Sequence, residues 1–208
     1  MVKLAQEGIP GSAAAENNNK RLTLGKELVL LAALLLLAVL LLYIGYKRYM
    51  TAAYPLHFEE YVEKYAAQYD FDPSLIYALI RTESEFNPAV VSKAKAKGLM
   101  QLTDDTFFWA QDCSPEDEEL HPDHLFDPET NIHYGTLVLR LLTNEFHELD
   151  TTLAAYNAGI GRVTGWLQEP AYSEDGVHLH TIPYEETRAY VERVLEAQEM
   201  YQELYRIP

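Results

Sequence analysis

The chain has 208 residues, enough for one domain with an additional segment, and its formal net charge is −16 at pH 7. The acidic excess follows residue 49, because residues 1–49 carry six basic and three acidic side chains. A domain this acidic does not attract nucleic acid by bulk electrostatics, so we expect no nucleic-acid partner. Cys113 is the only cysteine, which excludes an internal disulfide.

The N-terminal part divides into a polar tail and an apolar run. Residues 1–27 are small and polar and predict a disordered tail. Residues 28–46 contain no charged side chain, and as a helix they would span about 28 Å, close to the ~30 Å hydrocarbon core of a bilayer. A buried core helix would show polar positions on one face, and a cleaved signal peptide has a shorter apolar run. The run therefore predicts one transmembrane helix.

The orientation of this helix follows from the basic residues beside it. Four basic residues precede the run, at Lys3, Lys20, Arg21 and Lys26, and only the Lys47-Arg48 pair closely follows it. By the positive-inside rule, the tail is then cytoplasmic and residues 50–208 are extracytoplasmic. The predicted location is the cell membrane, crossed once.

Residues 50–208 show helical periodicity and no strand-like alternation, which predicts a compact all-α domain. The predicted helices are 58–69, 73–84, 101–111, 128–147, 151–158, 161–167 and 184–204. Asp72 and Asp150 are the expected N-caps of the second and fifth of these, and Pro73 suits the first helical position. The acidic segment 112–126 is expected to be irregular.

Glu83 carries the clearest chemical signal. It is four and three positions after Leu79 and Ile80, so it shares the apolar face of its helix, and the Asn-Pro pair that follows places it in the last turn. Burial and the negative end of the helix dipole both disfavour an ionised carboxylate. A carboxylic acid that stays neutral is what a glycosidase uses to protonate a leaving oxygen. The alternatives are a solvated side chain or an ion pair with Arg81 or Lys97.

Four short segments extend this signal. They are Glu-Ser-Glu-Phe-Asn-Pro at 83–88, Gly-Leu-Met-Gln at 98–101, Ala-Tyr-Asn-Ala-Gly at 155–159 and Glu-Thr-Arg-Ala-Tyr-Val at 186–191. In this order and at these separations, they resemble the soluble lytic transglycosylase domain of glycoside hydrolase family 23. The resemblance covers residues 58–205 and implies the goose-lysozyme-related, lysozyme-like helical fold. It also implies cleavage of the β-1,4 bond between N-acetylmuramic acid and N-acetylglucosamine in peptidoglycan, with a 1,6-anhydromuramyl end and no cofactor or metal.

Position by position, the resemblance implies a catalytic acid and a groove for the glycan. The acid is Glu83, and the hydroxyl of Tyr156 is implied to bond it. The residues implied to contact substrate are Ser92, Gln101, Tyr156, Asn157, Glu186 and Tyr190. Simpler roles are open for three of them: packing for Tyr156, a helix cap for Asn157 and a first-turn acid for Glu186.

The loop before the second segment and the residues after it depart from the family pattern. Thr103-Asp104 stand where the family commonly has Met-Pro, and the loop before Gly98 carries three lysines, which could meet acidic parts of peptidoglycan or be solvated. Gly98 would let the backbone approach a ligand closely, and Met100 is expected to fill the core.

Two other functions remain open from sequence. One is a hydrolytic lysozyme that uses the same acid with water as the nucleophile, and the other is a membrane-tethered, non-catalytic glycan-binding scaffold. The expected partners are peptidoglycan strands and the membrane, with cell-wall or envelope-machinery proteins as possible further partners.

Overall fold

The structure is a computed structural model that describes residues 11–115 and 119–205. The chain divides into two units, Met1–Ala53 and Tyr54–Pro208. In the first, helix α1 covers Gly11–Ala53. Its part from Lys26 to Ala53 contains an 18-residue window with a mean hydropathy of 3.0 and is, by length and composition, the one described helix able to cross a membrane.

The start of α1 differs from the sequence prediction. Residues 11–27 are helical, whereas the sequence predicted a disordered tail over 1–27. The alanines at 13–15 favour helix, and a helix propagates more readily than it nucleates, so the apolar segment extends backward. Residues 1–10 lie outside the described part of the chain.

The second unit is helical, as predicted. Its elements are α2 (Glu59–Gln68), α3 (Pro73–Ser84), α4 (Asp104–Cys113), a 3-10 helix (Pro122–Phe126), α5 (Pro128–Phe146), α6 (Leu149–Ala158), α7 (Ile160–Leu167) and α8 (Glu185–Tyr205). Over the described residues there is no β-strand, only two isolated antiparallel bridges in the loop between α3 and α4. The all-α prediction is confirmed.

The N-caps of α3 and α6 show how the local sequence determines where a helix begins. Asp72 accepts a hydrogen bond from the Ser74 N–H at 2.8 Å, which confirms it as the cap of α3. The predicted cap at Asp150 is wrong, because α6 begins earlier and Glu148 accepts from the Thr151 N–H at 2.8 Å. The segment predicted to be irregular contains the end of α4 and the 3-10 helix.

The core is built around α3, which is buried along most of its length. Residues 74–80 are all buried, and α8 packs against α3 more extensively than any other pair of helices does. The rings of Tyr77 and Tyr201 stack with their centroids 5.3 Å apart and join the two helices. This packing fixes the C-terminal end of α3 beside α8, where the candidate site lies.

Candidate active site

Glu83 lies in the last turn of α3, as the sequence predicted. Ser84 is the final helical residue, and Glu85 takes a left-handed conformation with φ of 50° that ends the helix. The side chain of Glu83 keeps part of its surface open to solvent, whereas Ser84 beside it is buried. An acid in this position is mostly sheltered but can still be reached by a ligand.

The carboxyl group of Glu83 is held by one described hydrogen bond. The Tyr190 hydroxyl donates to Glu83 Oε1 at 2.7 Å. Burial raises the pKa of Glu83 to about 7, although the Tyr190 hydrogen bond and the positive charge of Arg193 both lower it. Desolvation is therefore the larger effect, and a substantial fraction of the acid is protonated near neutral pH.

The ion pairs considered from sequence do not form. The Arg81 guanidinium lies over the Tyr54 ring, 4.1 Å from its centroid. Lys97 Nζ lies 2.8 Å from Asp104 Oδ1. Glu83 has no cationic partner in hydrogen-bond contact among the described residues, which is why desolvation dominates its pKa.

The implied bond from Tyr156 to Glu83 is wrong in this structure. The Tyr156 hydroxyl instead donates to the Met100 carbonyl at 2.8 Å. Burial raises the pKa of Tyr156 well above the usual value. The negative charge of Glu83 raises this pKa further, which indicates that Tyr156 lies near the acid. Tyr190, which the resemblance implied to contact substrate, is the residue whose hydroxyl bonds the acid.

The loop 98–101 is fixed to its surroundings through its backbone carbonyls. Ser84 Oγ donates to the Leu99 carbonyl at 2.8 Å, so the residue after the catalytic candidate anchors this loop to α3. The Gln101 amide donates to the carbonyls of Gly98 at 2.8 Å and Val90 at 3.2 Å. Gln101, predicted to line the groove, thus has a structural role that the sequence did not indicate.

Asn131 is a key residue that the sequence analysis missed. It is fully buried on α5, where its amide donates to the carbonyls of Lys97 at 3.0 Å and Leu125 at 2.8 Å. Its side-chain oxygen accepts from the Met100 N–H at 2.7 Å. The sequence feature that could have identified Asn131 is its spacing. It lies four residues before Gly135 and seven before Val138, on the inward face of α5. A polar residue there must satisfy buried backbone groups.

Gly98 is needed for close packing against the protein itself, and its predicted approach to a ligand stays a prediction. Its φ is 78°, and a Cβ atom there would lie 2.2 Å from both the Leu125 carbonyl oxygen and Asn131 Nδ2. The prediction for Met100 is confirmed, since it is fully buried. A Cβ on Gly135 would lie 2.4 Å from Met100 Sδ, so a second glycine makes room for this core residue.

The other expected site residues make no hydrogen bond with Glu83, whose described partner is Tyr190. Ser92 Oγ accepts from the Ala96 N–H at 3.1 Å and closes a turn in the lysine-bearing loop. Asn157, in the last turn of α6, and Glu186, in the first turn of α8, are exposed. Neither side chain makes a hydrogen bond or ion pair with another described residue. Their substrate roles stay predictions.

The Thr103-Asp104 pair, which departs from the family pattern, serves the loop geometry. Thr103 Oγ1 accepts from the Thr106 N–H at 3.2 Å and begins α4, and Asp104 pairs with Lys97 across the loop. The pairing gives Lys97 an intramolecular role. Within residues 11–115 and 119–205, no group of three or more His, Cys, Asp or Glu side chains is arranged to hold a metal ion.

An all-helical domain with a mostly sheltered carboxylic acid at the end of a core helix agrees with the lysozyme-like class that the sequence predicted. The chain belongs to the transglycosylase SLT domain family, whose sequence model matches residues 60–178. The soluble lytic murein transglycosylase of Escherichia coli (strain K12) is 36% identical over 149 residues, which make up 71% of this chain and 23% of that protein. Membrane-bound lytic murein transglycosylase C of Actinobacillus pleuropneumoniae serotype 5b (strain L20) is 34% identical over an alignment of 163 residues that covers 67% of this chain and 44% of that protein.

Solved structures agree with this family. The 70 kDa soluble lytic transglycosylase from Escherichia coli superimposes with a TM-score of 0.67 at 31% identity, over 75% of this chain and 26% of that one. An inactive mutant of the lytic transglycosylase Slt from Pseudomonas aeruginosa gives a TM-score of 0.64 at 29% identity, over 74% of this chain and 25% of that one. The chain matches less than half the length of each of these relatives.

Proposed function

We propose that this chain is a membrane-anchored murein lytic transglycosylase that cleaves the β-1,4 bond between N-acetylmuramic acid and N-acetylglucosamine and leaves a 1,6-anhydromuramyl end. The observation that carries the proposal is Glu83, a mostly sheltered acid with a pKa of about 7 that is bonded by Tyr190. The family and the names of its murein-cleaving members support the choice of substrate.

In the first step, neutral Glu83 gives its proton to the bridging oxygen while the bond to the muramic C1 breaks and an oxocarbenium-like state develops. The carboxylate that forms keeps the hydrogen bond from Tyr190, which is stronger to the ionised acid than to the neutral one. Tyr190 thus favours the transition state over the ground state.

In the second step, ionised Glu83 takes the proton of the C6 hydroxyl on the same muramic acid, and this oxygen attacks C1. The acid returns to its neutral form, and the 1,6-anhydro ring closes without added water. A nucleophile held on the same sugar avoids the entropy cost of recruiting a separate molecule. One carboxylic acid therefore serves both steps.

The reaction is tested on purified murein with the full chain in detergent. Wild type should release muropeptides that end in an anhydro sugar, which mass spectrometry finds one water lighter than the reducing end made by a lysozyme. Glu83→Gln should lower the rate by about 10²–10⁴ or more, the usual contribution of general acid–base catalysis. Glu60→Gln, which changes an exposed carboxylate on α2, should cleave like wild type. Reducing ends would instead show a hydrolase, and full activity of Glu83→Gln would remove it from the mechanism.

The membrane part of the proposal places the helical domain outside the cytoplasm and the tail inside. Its support is the apolar helix and the relatives named as membrane-bound. Cys113 is the only cysteine and is exposed, so a membrane-impermeant maleimide added to spheroplasts should label it. A Cys113→Ser chain that also carries Ser12→Cys should be labelled only after lysis. The reverse pattern would invert the proposed topology.

A further inference from the structure

The hydrogen bond between Glu83 and Tyr190 joins two helices, so its length depends on how closely α8 lies to α3 at that level. The helices run antiparallel. Gln202 Nε2 donates to Asp72 Oδ2 at 2.9 Å where α3 begins, and the Tyr190 hydroxyl reaches Glu83 where α3 ends. Residues from the end of α3 and from α8 also line a pocket of about 200 Å³. Direct packing between the two helices is therefore incomplete at this level.

Segment 54–58, which directly follows α1 in the chain, is fixed to α8 through its backbone. The Tyr201 hydroxyl donates to the Pro55 carbonyl at 3.1 Å. The Tyr205 hydroxyl donates to the Tyr54 carbonyl at 2.6 Å. Pro55 also stiffens the segment, because its ring fixes its own φ and restricts the residue before it to extended backbone. The start of the segment is thus held to the last turns of α8.

The ring of Tyr54 connects this segment to α3. The Arg81 guanidinium carbon lies 4.1 Å from the centroid of the ring, and the Tyr201 ring of α8 meets the Tyr54 ring edge-on with centroids 5.4 Å apart. A guanidinium over a tyrosine face is attracted by the ring electrons, more strongly where water is excluded. One half-buried ring therefore bridges α8 and the residue two positions before Glu83 on α3.

A second ring contact of the segment lies on the other side of the catalytic acid. The His57 ring meets the Phe86 ring edge-on, with centroids 5.6 Å apart, and Phe86 is three positions after Glu83. The segment thus contacts the chain both before and after the acid. The family model matches residues 60–178, so these contacts come from residues outside the matched range.

We propose that Tyr54 is a positioning residue, whose ring holds the end of α3 against α8 at the separation that the Glu83–Tyr190 hydrogen bond requires. Tyr54 acts through Tyr190 and makes no hydrogen bond with Glu83 itself. This inference rests on the proposed function, because murein cleavage is the activity that the geometry of the acid would control. The first residue of the helical domain after α1 then helps to set that geometry.

The test is a double-mutant cycle, measured on purified murein with the full chain in detergent. Tyr54→Leu keeps an apolar side chain but has no ring for Arg81, and it should lower kcat by about tenfold with little change in KM, because a small misplacement slows the chemical step. In the Tyr190→Phe background the hydrogen bond is already lost. There, Tyr54→Leu should lower kcat by less than about twofold, the non-additivity of two residues that act on one interaction.

Two further variants separate positioning from loss of packing. Tyr54→Phe keeps the ring, and the Tyr54 hydroxyl forms no hydrogen bond with a described residue, so this conservative variant should have the kcat of wild type. Tyr172→Leu changes another half-buried tyrosine, which packs on the core from the loop after α7. This matched control should also cleave murein like wild type.

Wild-type kcat in Tyr54→Leu would overturn the positioning role and leave the proposed function intact. An equal fall in kcat when Tyr54→Leu is added to wild type and to Tyr190→Phe would do the same, because the two residues would then act independently. A loss of kcat in Tyr172→Leu as large as in Tyr54→Leu would show a general effect of lost packing and would also overturn the role. If wild type does not cleave murein, the proposed function fails and this inference fails with it.

Discussion

The Tyr190 hydroxyl donates to Glu83 Oε1 at 2.7 Å, although the two residues are 107 positions apart in the chain. Tyr190 is almost fully buried on α8, so its hydroxyl is held in place by the packing of α8 on α3. The acid is therefore oriented by a residue of the helical core, and burial and hydrogen bonding act on its pKa in opposite directions.

Replacing Tyr190 with Phe should move the alkaline limb of the pH–activity profile to higher pH. The variant loses the hydrogen-bond donor that favours ionised Glu83. The pKa of Glu83 therefore rises above about 7, because the effect of burial is less opposed. The maximal rate should also fall by about tenfold or more, because a hydrogen bond to a charged group contributes about 1.5–3 kcal/mol. Both effects are measured as kcat/KM between pH 5 and pH 9.

Tyr156→Phe is the comparison that distinguishes the two tyrosines. Its hydroxyl donates to the Met100 carbonyl, so the variant should keep the alkaline limb near pH 7 and lose about 1–3 kcal/mol of stability instead. A shift of the limb in Tyr156→Phe and none in Tyr190→Phe would show that Tyr156 bonds the acid in solution.

Glu83 should also make the stability of the domain depend on pH. Its pKa is about 7 in the folded protein and 4.5 as the unperturbed value, so the folded state binds the proton more tightly than the unfolded state does. Below pH 4.5 both states are protonated and the group has no effect. Stability then falls as pH rises from 4.5 to 7, and above pH 7 the loss is constant at about 3 kcal/mol.

Urea unfolding of wild type and Glu83→Gln at several pH values measures this effect. Glutamine stays neutral, so the variant should be close to wild type in stability at pH 4.5 and more stable by up to about 3 kcal/mol at pH 8. Equal stability of the two proteins at pH 8 would mean that the carboxylate of Glu83 is hydrated in the folded state.

The sequence was sufficient to predict the helices and the acid, because both depend on local patterns. The apolar face of α3 predicted that Glu83 would be sheltered, and Asp72 with Pro73 predicted where that helix starts. The hydrogen bonds of the site could not be predicted this way. Whether Tyr156 or Tyr190 bonds Glu83 depends on the distance between three separate elements, which spacing along the chain does not determine.

The structural roles of Gln101 and Gly98 were not predicted, for a related reason. Both belong to a segment typical of the family, and the resemblance favours ligand contact for such residues. The loop itself needs them, because its backbone carbonyls are buried and must be satisfied, and because α5 leaves no space for a side chain at Gly98. These requirements arise from tertiary contacts, and they cannot be predicted from a single sequence.

Asn131→Leu should destabilise the domain by at least about 3 kcal/mol. The substitution has similar volume but leaves the Lys97 and Leu125 carbonyls and the Met100 N–H buried without their partner, and each unsatisfied group costs about 1–3 kcal/mol. Urea unfolding gives the free energy, and Asn144→Leu, at an exposed position of the same helix, should change it by less than about 0.5 kcal/mol. Similar losses in the two variants would indicate that helix propensity decides the result.

Gly98→Ala and Gly161→Ala should change stability in opposite directions. At Gly98 the φ of 78° disfavours an L-residue, and the new Cβ would lie 2.2 Å from the Leu125 carbonyl oxygen, so we expect a loss of at least about 2 kcal/mol. At Gly161, within α7, no heavy atom beyond the adjacent residues and the helix's own backbone lies within 4 Å of the new Cβ, and alanine should raise stability by up to about 1 kcal/mol through its higher helix propensity. Thermal unfolding of both variants at one pH measures the difference. A Gly98→Ala protein as stable as wild type would mean that the loop 98–101 can move away from α5, which would contradict the tight contact described here between Gly98 and Asn131.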